Sequence, residues 1–160
     1  MSNEDDGRPA YGFELPLLLL GGFRSIIDEL HAELARRGHP DLRPAHGFAL
    51  QAIGVRGATA TEAGRRLGIS KQAAGKTIER LEELGYVQKA GDDQDRRRKL
   101  VRITPRGREA LAMSAMIFDD IRSQWAAVLG PGQLSALEAD LRTMVPGEMF
   151  RLDVPGWFGG

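Results

Sequence analysis

Residues 58–86 read ATATEAGRRLGISKQAAGKTIERLEELGY, and their spacing decides the fold. Thr59 and Glu62 stand three apart, the spacing of a capping box, so a short helix starts there and stops at Gly68. Ser70 is then a good N-cap for a second helix. Along that helix Ala74, Ile78, Leu81 and Leu84 make an apolar stripe that ends at Gly85. Two helices joined by Leu67-Gly68-Ile69-Ser70 have the pattern of a helix-turn-helix, whose second helix is the one that reads a groove.

Downstream, YVQKA and KLVRI alternate apolar and polar residues on either side of a charged loop, which predicts a hairpin over Tyr86–Thr104. Its tip and return strand form the stretch GDDQDRRRKLVRIT, residues 91–104. Pro105 suits the first position of a long following helix. There Leu111, Phe118 and Trp125 fall seven apart, as do Ser114, Ile121 and Val128, a near-heptad stripe. Gly130-Pro131-Gly132 punctuates, and a last helix carries Leu134, Leu137, Leu141 and Val145.

Upstream, Leu17, Leu20, Phe23, Ile27, Leu30 and Leu34 predict an amphipathic helix over Leu15–Arg37, ended by Gly38 and Pro40. Within it Gly21-Gly22 marks a close helix crossing or a kink. Pro44 opens another helix through Phe48, Leu50 and Ile53, which Gly54 and Gly57 break. The acidic start, residues 1–14, and the end, residues 151–160, read as tails.

Composition sets the bounds. Without cysteine there is no disulfide, thiolate metal site or cysteine nucleophile. The apolar run LPLLLLGGF is too short to span a bilayer and the acidic start is unlike a signal peptide, so a soluble cytoplasmic protein without membrane contact is expected. Net charge is zero, which argues against general coating of nucleic acid. Its distribution is uneven: residues 61–108 hold thirteen Lys/Arg against seven Asp/Glu, and the flanks carry the compensating acids. A basic module between acidic flanks is the footprint of local polyanion contact.

The order of these elements resembles the MarR family of winged-helix transcriptional regulators over roughly residues 15–145. RRLGISKQAAGKTIERLEELGYV resembles the recognition-helix region, DDQDRRRKLVRIT the wing, and TPRGREAL the joint between wing and helix. The resemblance implies an α+β, mainly helical fold: a winged helix-turn-helix over residues 44–104, and a helical dimerisation region from both chain ends, 15–43 and 105–150. It implies a homodimer on a pseudo-palindromic operator in double-stranded DNA, and a small aromatic or anionic effector held between the two regions. A repressor is the expected role. The alternative is a winged-helix protein-interaction module without specific DNA binding.

Departures from the family pattern are Gly64 and Gly75, each costing about 1 kcal/mol of helix propensity relative to Ala, and Asp93 where the family has Pro.

Ser70, Lys71, Gln72, Gly75 and Lys76 occupy the exposed first turns of the second helix. Gln can read adenine, Lys can reach guanine or phosphate, and the helix N-terminus favours phosphate. Arg65 and Arg66 before the turn either flank the DNA backbone or are surface charge. The resemblance places Arg97 of the wing's Asp-x-Arg pair in the minor groove, where an Arg reads groove width and potential. Asp95 braces an Arg or caps the turn. Arg96, Arg98 and Lys99 are phosphate contacts or solvated charges. His31, His39 and His46 read as surface or capping residues, with no metal-ligand spacing. His31 and Trp125 are candidates for an effector pocket, but Trp125 reads first as a core or dimer packing residue, because its heptad partners Leu111 and Phe118 need burial with or without a ligand. No nucleophile elbow, phosphate-cradling Gly loop or paired-carboxylate site is present, so neither a catalytic residue nor a cofactor is expected.

Overall fold

The computed structural model describes residues 11–91, 94–95 and 97–145. Six helices run in the order α1 (Glu14–Arg36), α2 (Pro44–Ile53), α3 (Ala60–Leu67), α4 (Lys71–Glu83), then, after a hairpin, α5 (Pro105–Leu129) and α6 (Pro131–Met144). The hairpin pairs β1 (Val87–Gly91) antiparallel with β2 (Lys99–Ile103), in the register Val87↔Ile103 to Gly91↔Lys99. The expected architecture, mainly helical with a small sheet, is the one observed. Asp92, Asp93, Arg96 and the two expected tails, apart from residues 11–14, lie outside the described residues.

Local chemistry explains the boundaries. Thr59 accepts the Glu62 N–H at 3.2 Å, and the Glu62 carboxylate accepts the Thr59 N–H at 3.0 Å, so the capping box is closed. Gly68 takes the left-handed conformation (φ 69°), and Ser70 Oγ accepts the Ala73 N–H at 3.1 Å. Between them the turn folds back on α3: a Cβ on Gly64 would sit 2.9 Å from the Ile69 carbonyl oxygen. Gly64 is therefore required by the tightness of the turn, which offsets its poor helix propensity.

The hairpin is anchored at its root. Ala58 bridges Val101 through two backbone hydrogen bonds of 3.0 and 2.9 Å, which adds a third backbone segment beside β2. Thr104 caps α5 by accepting the Gly107 N–H at 3.1 Å and donates to the Gly85 carbonyl at 2.6 Å. Gly107 admits no side chain, because its Cβ would collide with the Tyr86 carbonyl and Ile103.

The core runs from Leu30 and Leu34 of α1 through α2 (Leu50, Ile53), α4 (Ile78, Leu81) and the hairpin to Ala110, Ile117 and Ile121 of α5. Two sequence readings shift here. On α5 the buried row is Ala110, Ile117 and Ile121, whereas Phe118 is exposed and Val128 is 85% exposed. The heptad rows are therefore split: Ile121 is buried, and Leu111 and Trp125 pack half-buried against the core. Phe118 and Val128 face away from it, so α5 is apolar on two sides. On α1 only Leu30 and Leu34 are buried, while Leu17 and Phe23 are exposed. Of the two readings of Gly21-Gly22, the crossing is the one observed: α1 is unbroken, and the Trp125 ring lies 3.4 Å from where a Gly22 Cβ would be. Arg122 and Glu138 join α5 to α6 by contacts of 2.7 and 2.9 Å.

Candidate nucleic-acid interface

Helix α4 buries Ala74, Ile78 and Leu81 and so turns Lys71, Gln72 and Lys76 to solvent. Gly75 lies on the same outward side, and a Cβ there would meet nothing within 4 Å. Among the described residues no packing calls for a glycine at that position. The face therefore offers two ammonium groups, one amide and a gap in the side-chain cover, next to the positive end of a helix dipole. Ser70 flanks it, with its hydroxyl oxygen already engaged in the cap.

At the hairpin tip, Asp95 shapes the turn. Its carboxylate accepts the Arg97 N–H at 3.0 Å, and its carbonyl accepts the Arg98 N–H at 3.1 Å. Arg97 is left exposed, and among the described residues its side chain makes no ion pair. Arg98 differs: its guanidinium pairs with the Glu62 carboxylate. That carboxylate also closes the cap of α3, and the Thr59 N–H, with Arg98 and Arg66 nearby, holds it below the usual carboxylate range. Lys99, at the start of β2, is exposed. Arg66 donates to the Ala52 carbonyl at 2.6 Å, tying α3 to α2, whereas Arg65 stays on the surface. Arg96 is outside the described residues.

The bracing role of Glu62 escaped the sequence reading, because a capping box predicts a local partner and not one 36 residues away. The joint between α1, the hairpin and α5 escaped it as well. His39, read as a surface or capping residue, is 2% exposed, with Nδ1 2.8 Å from the Tyr86 hydroxyl. Arg106 donates to that hydroxyl at 3.3 Å and to the Gly38 carbonyl at 3.2 Å, and lies 4.9 Å above the Tyr86 ring. Burial, with Arg106 beside it, lowers the His39 pKa, and burial raises that of Tyr86. His46 is a capping residue: its Nδ1 accepts the Arg43 N–H at 3.0 Å.

A cavity of about 150 Å³ opens where α1, α2 and α5 meet. His31 lines it with Leu34, Phe48, Leu111 and Phe118. Trp125 is not part of its wall and packs where α1 crosses α5. Among the described residues no group of three His, Asp or Glu side chains could hold a metal ion, and no helix is long and apolar enough to cross a membrane.

Residues 41–98 match the model of the MarR family. No curated protein sequence matches the chain. Among solved structures, apo MarR from E. coli is 19% identical with a TM-score of 0.65, covering 87% of this chain and 100% of its own. The S. aureus MepR–DNA complex is 19% identical with a TM-score of 0.63, covering 84% and 96%. A probable transcriptional regulator from Pseudomonas aeruginosa is 26% identical with a TM-score of 0.55, covering 77% and 93%. Residues 41–98 are thus similar in sequence to the MarR family, and the chain as described has the winged-helix fold of MarR and MepR.

Proposed function

We propose that this protein is a sequence-specific regulator of transcription that binds double-stranded DNA as a homodimer and acts by binding, without catalysis or a cofactor. The observation that carries the reading is the outward face of α4, with Lys71, Gln72 and Lys76 around a Gly75 beside which no described residue fills the space of a side chain. A helix face that is cationic and locally bare suits close approach to a groove edge. The MepR complex with DNA shows a chain of the same fold on such a partner.

In this mechanism the two α4 helices enter successive major grooves about one helical turn apart, and Arg97 of each wing enters the flanking minor groove. Lys71, Gln72 and Lys76 meet base edges or phosphate, while Lys99, Arg65 and Arg96 supply charge along the backbone. Arg98 acts through the position of the wing, since Glu62 already holds it. Dimerisation uses the exposed apolar sides of α1, α5 and α6, within residues 15–43 and 105–150. The operator is pseudo-palindromic, the effect is repression in the cytoplasm, and a small ligand in the α1–α2–α5 cavity releases the DNA by changing the spacing of the two α4 helices. By linkage, such a ligand binds the DNA complex more weakly than the free protein.

Selection of bound genomic fragments, followed by titration of the recovered site, tests the reading. Tight binding to one symmetric site supports it. Absence of any selected site would favour the protein-interaction module instead.

A further inference from the structure

The wing is tied to the helix-turn-helix at two points. At its root, Ala58 and Val101 exchange backbone hydrogen bonds of 3.0 and 2.9 Å. Nearer the tip, the Arg98 guanidinium pairs with the Glu62 carboxylate in the first turn of α3. Through its other oxygen that carboxylate accepts the Thr59 N–H at 3.0 Å, so both oxygens are engaged. The Thr59 N–H, with Arg98 and Arg66 nearby, keeps its pKa below the usual carboxylate range, and it is charged at neutral pH.

The root tie alone would act as a pivot. Arg97 stands four residues beyond Val101, at most roughly 13 Å of extended chain. A swing of about 15° at the pivot would move it by roughly 3 Å, the length of a hydrogen bond. The second tie removes that freedom. Asp95 carries it on to the tip, its carboxylate accepting the Arg97 N–H at 3.0 Å and its carbonyl the Arg98 N–H at 3.1 Å. An exposed ion pair of this kind adds little to folding stability; what it governs is direction. From Glu62, α3 leads through the turn at Gly68–Ser70 into α4, so one carboxylate relates the wing to the helix face that carries Lys71, Gln72 and Lys76.

We propose that Glu62 is a positioning residue of the DNA site: without touching DNA it sets the separation between the α4 face and Arg97, and so raises operator affinity although its own charge repels phosphate. The proposal rests on the DNA-binding reading above and adds to it a residue of the wrong sign for a phosphate contact. On charge alone, removing an acid beside DNA strengthens binding. Through position, it weakens binding. Glu62→Gln separates the two. Glutamine at the third helical position still closes a capping box, but its amide has a single oxygen. When that oxygen serves Thr59, the NH2 group meets Arg98 donor against donor.

Two measurements on the full chain test the proposal. In the free protein, NMR order parameters of the Asp95, Arg97 and Arg98 amides report the freedom of the wing without reference to DNA. Glu62→Gln should lower them with the melting temperature kept; unaltered values would overturn the tie. Fluorescence anisotropy on a selected operator then reads the consequence. Glu62→Gln should weaken binding about tenfold in the native chain and less than about twofold in the Arg97→Ala background, where nothing is left to position. Equal losses in both backgrounds, or unchanged or tighter binding by Glu62→Gln alone, would overturn the positioning role. A native chain that selects no operator would overturn the DNA reading and the positioning role with it, while the order parameters would still decide whether the tie exists.

Discussion

Gly64 and Gly75 are the same residue type held in helices for opposite reasons. At Gly64 the Ile69 carbonyl leaves no room for a methyl group, whereas at Gly75 the space is empty. Gly64→Ala should therefore lower the midpoint of urea unfolding. Gly75→Ala should raise stability by up to about 1 kcal/mol through helix propensity and at the same time weaken DNA binding. If Gly75→Ala left DNA affinity unchanged, close approach at that position would be excluded. The two wing arginines divide in a similar way. Arg97 is exposed and without an ion pair among the described residues, and Arg98 is paired with Glu62. Arg97→Ala should reduce operator affinity tenfold or more with the melting temperature unchanged, as read by fluorescence anisotropy and thermal unfolding. Lys99→Ala should weaken binding evenly across sequences and reduce the salt slope by about one. No base distinguishes Lys71 from Lys76 on this geometry, but Lys71→Ala and Gln72→Ala should change which sites are selected.

Among elements, those whose ends are set by local chemistry were legible from sequence. Thr59, Ser70 and Thr104 cap the helices they were expected to start or precede, because a cap is satisfied within three residues. What stayed hidden depends on long-range contact. The apolar residues of α5 gave no sign of which side meets α1, since Ala110 and Ile117 are no more apolar than Phe118 and Val128. His39 carries no local signal of burial, and its partners are Tyr86 and Arg106. Of the candidate site, the outward face of α4 was legible because the buried stripe defines its opposite. The engagement of Arg66 by Ala52 and of Arg98 by Glu62 was not. The joint makes a pH prediction. His31, His39 and His46 all have pKa values lowered from 6.5, with burial the largest cause. The folded state binds fewer protons than the unfolded state once the free imidazoles titrate. Stability is therefore fully present above about pH 6.5 and falls as pH drops through that value. A proton on His39 Nδ1 would also set a second donor against the Tyr86 hydroxyl, beside Arg106. Thermal unfolding at pH 7.5 and 5.5 should show the loss, and His39→Gln should reduce it. A flat profile in the native chain would count against buried neutral imidazoles.

Taken as one molecule, the chain leaves a large apolar surface uncovered. Leu15, Leu17 and Leu18 on α1, Phe118 and Val128 on α5, and Leu137 on α6 are all exposed. Exposed apolar residues on three helices point to a surface that a partner covers. A second copy that covers these helices would also fix the separation of the two α4 faces, which is what a two-part operator measures. Sedimentation should give twice the chain mass of 17.5 kDa, and a Leu17→Asp, Leu137→Asp double variant should shift it toward the single chain with helix content kept. A dimer that persisted would mean that these helices do not form the interface. The central claim, that α4 and the wing engage duplex DNA, is tested most directly by titrating a selected operator across a range of salt concentrations. With on the order of six phosphate contacts in each half, log affinity should fall against log salt with a slope of roughly −5 per half-site, and Arg97→Ala should weaken binding throughout. Binding insensitive to salt, or equal for native and Arg97→Ala chains, would contradict the account.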